Sequence, residues 1–180
     1  MRDVWQMWPA GLTSNEVDKI VKAAEALPEQ DATTLDRSEV DRKIRSSKVK
    51  WLREEWVRDK LFEFIKEANA NCFGVNVENY AELQFTEYHA TENGHYDWHH
   101  DVDWLAHHNG DRKLSITVQL SDRDEYEGGD FEFRECPTPE HMKAKGTILV
   151  FPSFLWHRVS PVTSGVRKSL VAWFYGPRWR

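Results

Sequence analysis

The apolar positions of this 180-residue chain follow two periods. Up to Gly74 they recur at helical spacing, and after it they alternate. Thr13-Ser14-Asn15-Glu16 has the form of a capping box, in which hydroxyl and carboxylate each satisfy a free backbone amide. Behind it Val17, Ile20, Val21, Ala24 and Leu27 share one face and Pro28 ends the run, which predicts a first helix. Val57, Leu61, Ile65 and Ala68 predict a second from about Glu54 to Ala70, with Asn71 and Gly74 suited to its C-terminal end. A short strand is expected from Val4 to Trp8, stopped by Pro9 and Gly11. Gln30 to Ser47 is polar and weakly periodic and reads as a long loop or irregular hairpin. Loops of that length are usually functional or disordered.

Beyond Gly74, Ala81, Leu83 and Phe85 alternate with Glu82, Gln84 and Thr86. Leu114, Ile116, Val118 and Leu120 alternate with Ser115, Thr117, Gln119 and Ser121. Asp130 to Arg134 alternates behind Gly128-Gly129, and Thr147 to Phe151 is a continuous apolar strand closed by Pro152. Trp156 to Val162 and Arg167 to Tyr175 complete the set, with turns at Asn93-Gly94, Asn109-Gly110 and Ser164-Gly165. Two helices followed by many short strands predict an α+β, mainly β fold: a small barrel or jelly roll with helices packed outside. The expectation is a single domain over 1–180, with helices and a lid region over 1–78 and the strand-rich core over 79–180.

Composition adds constraints. Nine Trp, nine Phe and five Tyr predict an aromatic interior or pocket. A net charge of −6 and a pI near 5.8 oppose bulk attraction to nucleic acid, and none is expected as a partner. Against that balance, Arg42 to Arg53 holds Arg42, Lys43, Arg45, Lys48, Lys50 and Arg53 and no acid. It reads as a solvated strand or loop edge, with contact to an acidic partner as the alternative. Apolar runs are too short for a membrane span, and the N-terminus has no apolar signal region. Cys72 and Cys136 stand in no metal-binding spacing. A soluble, cytoplasmic setting is expected, and oligomeric state is left open.

The chemistry concentrates in Gly94 to Asp103, which reads G-H-Y-D-W-H-H-D-V-D. In an extended strand side chains two apart share a face, so His99 and Asp101 reach one metal ion while His100 points away. An imidazole and a carboxylate are two thirds of the 2-His-1-carboxylate triad that holds non-heme Fe(II) with open positions. Among eight histidines and thirty acids a lone H-x-D is a weak signal, and half of such pairs are polar surface turns on a rough prior. His157, in F-P-S-F-L-W-H-R-V, follows an apolar strand and is either a satisfied core residue or the third ligand. Arg167 opens an otherwise apolar strand with Ser169 on its face. If buried, it needs an anion, either an internal carboxylate or that of a bound small acid.

These residues stand in a wider pattern. Tyr88 is followed by G-H-Y-D-W-H-H-D (94–101), R-K-L-S-I-T-V-Q-L-S (112–121), E-G-G-D-F-E-F (127–133) and G-T-I-L-V-F-P-S (146–153). Then come W-H-R-V-S-P-V (156–162) and G-V-R-K-S-L-V-A-W-F (165–174). In order and spacing this last half of the chain resembles the prolyl 4-hydroxylase class of Fe(II)/2-oxoglutarate-dependent dioxygenases. The resemblance implies a double-stranded β-helix, a cupin-like jelly roll. It makes His99, Asp101 and His157 the iron ligands and catalytic centre, with Fe(II), 2-oxoglutarate and O₂ as cofactor and cosubstrates and ascorbate as an accessory. Arg167 would bind the distal carboxylate of 2-oxoglutarate, with Tyr88, Gln119 and Ser169 around the cosubstrate. Gln119 stands where some relatives carry tyrosine. Trp173 would form part of the pocket wall. Tyr96, Trp98, Trp104 and Trp156 flank the ligands and are candidates for substrate contact, with core packing as the plainer account. The implied reaction hydroxylates a prolyl residue in a peptide or protein partner, releasing succinate and CO₂. Hydroxylation of a lysyl residue, a free amino acid or another small molecule uses the same core. A non-catalytic cupin-like metal-binding module is the alternative of another class.

Overall fold

The computed structural model describes residues 3–34, 40–104 and 110–180. The middle of the expected lid loop (35–39) and His107, His108 and the turn residue Asn109 lie outside the described residues. Strands run in the order β1 (Gln6–Trp8), β2 (Gln30–Asp31), β3 (Arg45–Ser46), β4 (Lys48–Leu52), β5 (Ala81–His89) and β6 (His95–His99). They continue with β7 (Gly110–Gln119), β8 (Tyr126–Gly128), β9 (Phe131–Phe133), β10 (Ile148–Pro152), β11 (His157–Val159) and β12 (Val162–Pro177). Helix α1 (Ser14–Glu25) follows β1, and α2 (Glu55–Ala68) follows β4.

Both helices form where the apolar spacing places them. The Glu16 amide donates to Thr13 Oγ1 at 3.3 Å while the Thr13 amide donates to Glu16 Oε2 at 2.8 Å, closing the capping box. Helix α2 ends two residues earlier than expected, in a π turn over Asn69–Phe73 that Gly74 closes in the left-handed region (φ 63°).

Among the described residues all strand pairs are antiparallel and form two sheets. The larger has the order β1-β10-β7-β12-β5-β4-β2 with β8 attached to β12, and the smaller is β3-β6-β11-β9. Alternate residues of the same strands serve two interiors. Leu83, Phe85, Leu114, Ile116, Val118, Ile148, Val150, Leu170, Ala172 and Phe174 turn outward and bury Val17 and Ile20 of α1 and Leu61 and Ile65 of α2. On the other face Tyr88, Leu149 and Phe151 meet Tyr96, Phe131, Phe133 and Val159 of the smaller sheet. The expected mainly β jelly roll with supporting helices is what the chain forms.

The polar set Ser115, Thr117, Gln119 and Ser121 is buried like its apolar neighbours, because the second sheet covers that face. Several expectations need correction. The basic stretch is a solvated edge only in part. Arg42, Lys43 and Arg53 are exposed, but Arg45 and Lys50 are buried, the latter ion-paired with Glu29 and Glu87, and Lys48 pairs with Asp31 at 2.6 Å. Among the described residues of the expected loop, only Gln30–Asp31 and Arg45–Ser46 form strands. Strand β6 stops at His99, so Asp101 follows the strand rather than lying in it. The segment read as one strand from Trp156 to Val162 forms β11 and then begins β12.

Candidate active site

The cavity between the sheets is built on strand ends. His99 closes β6, His157 opens β11 and the two are register partners, so pairing alone brings the imidazoles together at a centroid separation of 4.2 Å. Asp101 arrives by a different route. Its amide donates to the Ser153 carbonyl (2.8 Å), and Ser115 Oγ donates to its Oδ2 (2.6 Å) while also bonding Ser153 Oγ (2.9 Å). Nitrogen and oxygen atoms of His99, Asp101 and His157 then lie within 4.8 Å of one another, the one such group among the described residues.

The hydrogen bonds fix what this group offers. His99 Nδ1 sits 2.8 Å from the Asp97 carbonyl and His157 Nδ1 sits 2.9 Å from the Leu155 carbonyl. A carbonyl only accepts, so each Nδ1 carries a proton, and in the neutral ring that tautomer leaves a lone pair on each Nε2. Those lone pairs lie 3.7 Å and 3.6 Å from the Asp101 carboxylate oxygens. Burial and the neighbouring His157 hold the His99 pKa well below the usual histidine range, against the pull of Asp101. Burial works to raise the Asp101 carboxyl, but His157, His99, Arg112 and the Ser115 bond outweigh it and keep it below the ordinary range. Two imidazole Nε2 atoms and a carboxylate facing one another form a ligand set that a divalent cation satisfies. Two nitrogens and one oxygen suit Fe(II), and each imidazole is held from behind as metal-binding histidines are.

At another end of the cavity stands Arg167, paired in register with Tyr88 and only 3% exposed. Its guanidinium lies over the Tyr88 ring at 5.5 Å and approaches Ser169 Oγ at 3.5 Å. Among the described residues no carboxylate pairs with it, so the internal-acid alternative finds no partner. Gly129 makes its place: at φ 60°, a β-carbon there would stand 2.9 Å from Arg167 Cδ and from Val162 Cγ2. Phe131, Phe151, Val159 and Val171 supply apolar walls, and Thr117 and Ser169 are small enough to leave room.

Not every expected residue reaches the cavity. Tyr88, Tyr96, Arg167, Ser169 and Trp173 line it, and Tyr96 stacks on His99 with ring centroids 3.4 Å apart. Gln119 does not line it; its amide instead donates to the Tyr126 hydroxyl at 2.9 Å. Trp98, Trp104 and Trp156 also stay outside. Arg158 covers Trp98, and Trp104 and Trp156 pack edge-on against His100. Sequence reasoning missed Arg45, Gln84, Thr117, Phe131 and Phe151 as lining residues. The basic run and the strand alternation contained them, but nothing local marked them as inward.

A second cavity opens beside the first. Arg45, Gln84, Tyr96, Asp101 and Trp173 line both, and Thr33, Thr34, Trp51 and Arg112 extend the second outward.

Comparison with known proteins fits this arrangement. Over residues 83–175, just over half of the chain and all four of His99, Asp101, His157 and Arg167, the sequence matches the 2OG-Fe(II) oxygenase superfamily. A PKHD-type hydroxylase of Synechococcus sp. (strain CC9311) is 42% identical over 81 residues, covering 44% of this chain and 36% of that protein. One from Prochlorococcus marinus (strain MIT 9301) is 33% identical over 92 residues, covering 51% and 40%. The chain thus aligns with little more than a third of the length of these relatives. In fold, it is similar to a Pseudomonas putida prolyl-4-hydroxylase, with TM-score 0.72, 20% identity and 96% and 93% of the chains covered. It is likewise similar to a viral collagen prolyl hydroxylase from Paramecium Bursaria Chlorella virus-1, with TM-score 0.69, 22% identity and 97% of both chains covered. Fold, donor set and matched sequence agree: the chain belongs to the 2OG-Fe(II) oxygenase superfamily.

Proposed function

We propose that this protein is an Fe(II)- and 2-oxoglutarate-dependent oxygenase that hydroxylates a prolyl residue of a peptide or protein. The observation that carries the reading is one cavity with a cation-seeking end and an anion-seeking end: His99, Asp101 and His157 at the first, Arg167 without a carboxylate at the second. With Fe(II), 2-oxoglutarate and O₂ bound, the chemistry of the superfamily is oxidative decarboxylation to succinate and CO₂ coupled to hydroxylation of a C–H bond. His99 and His157 would hold the metal through Nε2 and Asp101 through a carboxylate oxygen. Arg167 and Ser169 fix the distal carboxylate of the cosubstrate by charge-assisted hydrogen bonds beside Tyr88. Phe131, Phe151, Val159 and Val171 exclude water.

The prolyl assignment draws support from the relatives, one of whose solved folds is a prolyl hydroxylase from Trichoplax adhaerens in complex with a peptide fragment. No helix among the described residues is long and apolar enough to cross a membrane, and the free thiols of Cys72 and Cys136 suit our placement of the reaction in the cytoplasm. The whole chain, purified without oxygen and reloaded with Fe(II), is given 2-oxoglutarate, O₂ and a panel of proline-containing peptides. Peptide-stimulated succinate and a product heavier by one oxygen atom are expected. If no peptide raises succinate above the uncoupled background, the prolyl substrate is lost. Bound metal with no succinate under any condition would favour the non-catalytic module.

A further inference from the structure

We propose that the substrate carries a carboxylate close to the carbon that reacts, and that Arg45 receives it. This rests on the oxygenase reading above and extends it to the substrate's charge.

Arg45 is 6% exposed and lines both cavities. Its Nε donates to Ser47 Oγ (2.9 Å), Nη1 to the Thr33 carbonyl (3.2 Å) and Nη2 to Gln84 Oε1 (2.6 Å), and the guanidinium lies over the Tyr96 ring at 4.5 Å. Each partner is neutral. Hydrogen bonds of this kind orient a guanidinium without neutralising it, and a buried charge left uncompensated is costly. Among the described residues no carboxylate pairs with Arg45.

A neighbour shows that the fold can supply one. Arg112, on the wall of the second cavity, receives Glu82 at 2.6 Å, and that carboxylate also accepts the Tyr175 hydroxyl at 2.8 Å. Arg112 is paired from within; among the described residues Arg45 has no such carboxylate. Trp173 adds an independent sign: its Nε1–H is buried with no acceptor, and its ring lines both cavities. A charged donor and an unsatisfied neutral donor at one junction call for an acceptor, and a carboxylate brings both lone pairs and charge.

Arg45 and Arg167 address different anions. Gln84, which holds Arg45, stands four residues along β5 from Tyr88, the register partner of Arg167. At strand spacing that separates the two by roughly 13 Å. Asp101 lines both cavities, so a carboxylate at Arg45 lies near the metal-ligand group but away from the Arg167 end that would take the cosubstrate. Its source is either the α-carboxylate of a free amino acid or chain end, or an acidic side chain beside the reacting residue.

Binding to the whole chain, loaded with Fe(II) and 2-oxoglutarate without oxygen, is read by calorimetry with matched probes. N-acetylproline against its amide tests the α-carboxylate, and N-acetyl-prolyl-glutamate amide against its glutamine counterpart tests the side chain. The same pairs built on lysine and leucine cover a non-prolyl substrate. In at least one pair the acid should bind about tenfold or more tightly than its neutral twin. Arg45→Gln should erase that preference and Arg45→Lys should keep most of it. Equal binding of acid and neutral forms in every wild-type pair, or no binding of any, overturns the proposal without recourse to a variant. So does a preference that survives Arg45→Gln. Uncoupled succinate release by the wild-type protein scores the oxygenase reading separately. Turnover without acid preference removes Arg45's role alone, and acid preference without succinate removes the oxygenase alone.

Discussion

The two faces of the larger sheet are made by the same strands and have opposite properties. On β7, Leu114, Ile116 and Val118 pack against the helices while Ser115 and Thr117 turn toward the cavity. On β12, Leu170, Ala172 and Phe174 face the helices, and Arg167, Ser169, Val171 and Trp173 face inward. All but Val171 are buried, so burial does not separate them. What separates them is what they lack. The outer face is packed hydrocarbon, whereas the inner face gathers an arginine that no carboxylate among the described residues pairs with and three side chains of metal-ligand type. Tight packing stabilises one side, and unmet bonding capacity gives the other its use.

Four substitutions test that contrast, beginning with the largest effect. Asp101→Ala should abolish coupled turnover and bound metal together, a fall of about 10³-fold or more in succinate formation, equivalent to roughly 4 kcal/mol. Near-normal metal content in that variant would refute the ligand assignment. On the outer face, Ile116→Ala removes a fully buried side chain and should cost about 2–5 kcal/mol of stability in urea unfolding, with folded protein still binding metal. If it lost metal without losing stability, the two faces would not be separable.

Ser115→Ala lies between the two. It deletes the 2.6 Å bond to the metal-facing carboxylate and should weaken metal affinity about 10–100-fold, read by competition titration with Mn(II). Retained affinity would mean that the Ser153 carbonyl alone aims Asp101. The smallest effect belongs to Thr13→Ala, at about 1 kcal/mol of stability at neutral pH. The Thr13 backbone amide, which the variant keeps, is the main cause that holds the Glu16 pKa below its ordinary value, and the Thr13 hydroxyl, donating to Glu16 Oε2 at 2.9 Å, lowers it further. A carboxyl lowered in the folded state contributes stability above its unfolded pKa, and this is lost as pH falls through the folded one. The hydroxyl's share of the gap between wild type and variant should therefore narrow in acid, below about pH 4. A gap unchanged by acid would mean that the hydroxyl contributes only as acceptor of the Glu16 amide.

Legibility followed the same division. The capping box, both helices and the strand alternation could be read directly, because they depend on neighbours within a few residues. His99, Asp101, His157 and Arg167 were legible as a set, though the parity argument for Asp101 used a strand that ends two residues too soon. The carboxylate comes inward through its bonds to Ser115 and Ser153 instead. The three tryptophans read as candidates for substrate contact do not line the cavity, since nearness in sequence to a ligand says nothing about which side of β6 or β11 faces it.

The chain by itself determined where its segments become helix or strand and which chemical groups it carries, since spacing, caps and turns act locally. Only the tertiary structure decided which face of each strand is covered by helices and which by a second sheet. It alone buried Ser115 and Thr117 on the cavity side of β7, and turned Arg45 from apparent solvated edge into a buried cation. The physical reason is that a two-residue period shows only that a strand has two different faces. Whether the polar one meets water or a ligand depends on what another part of the chain places over it.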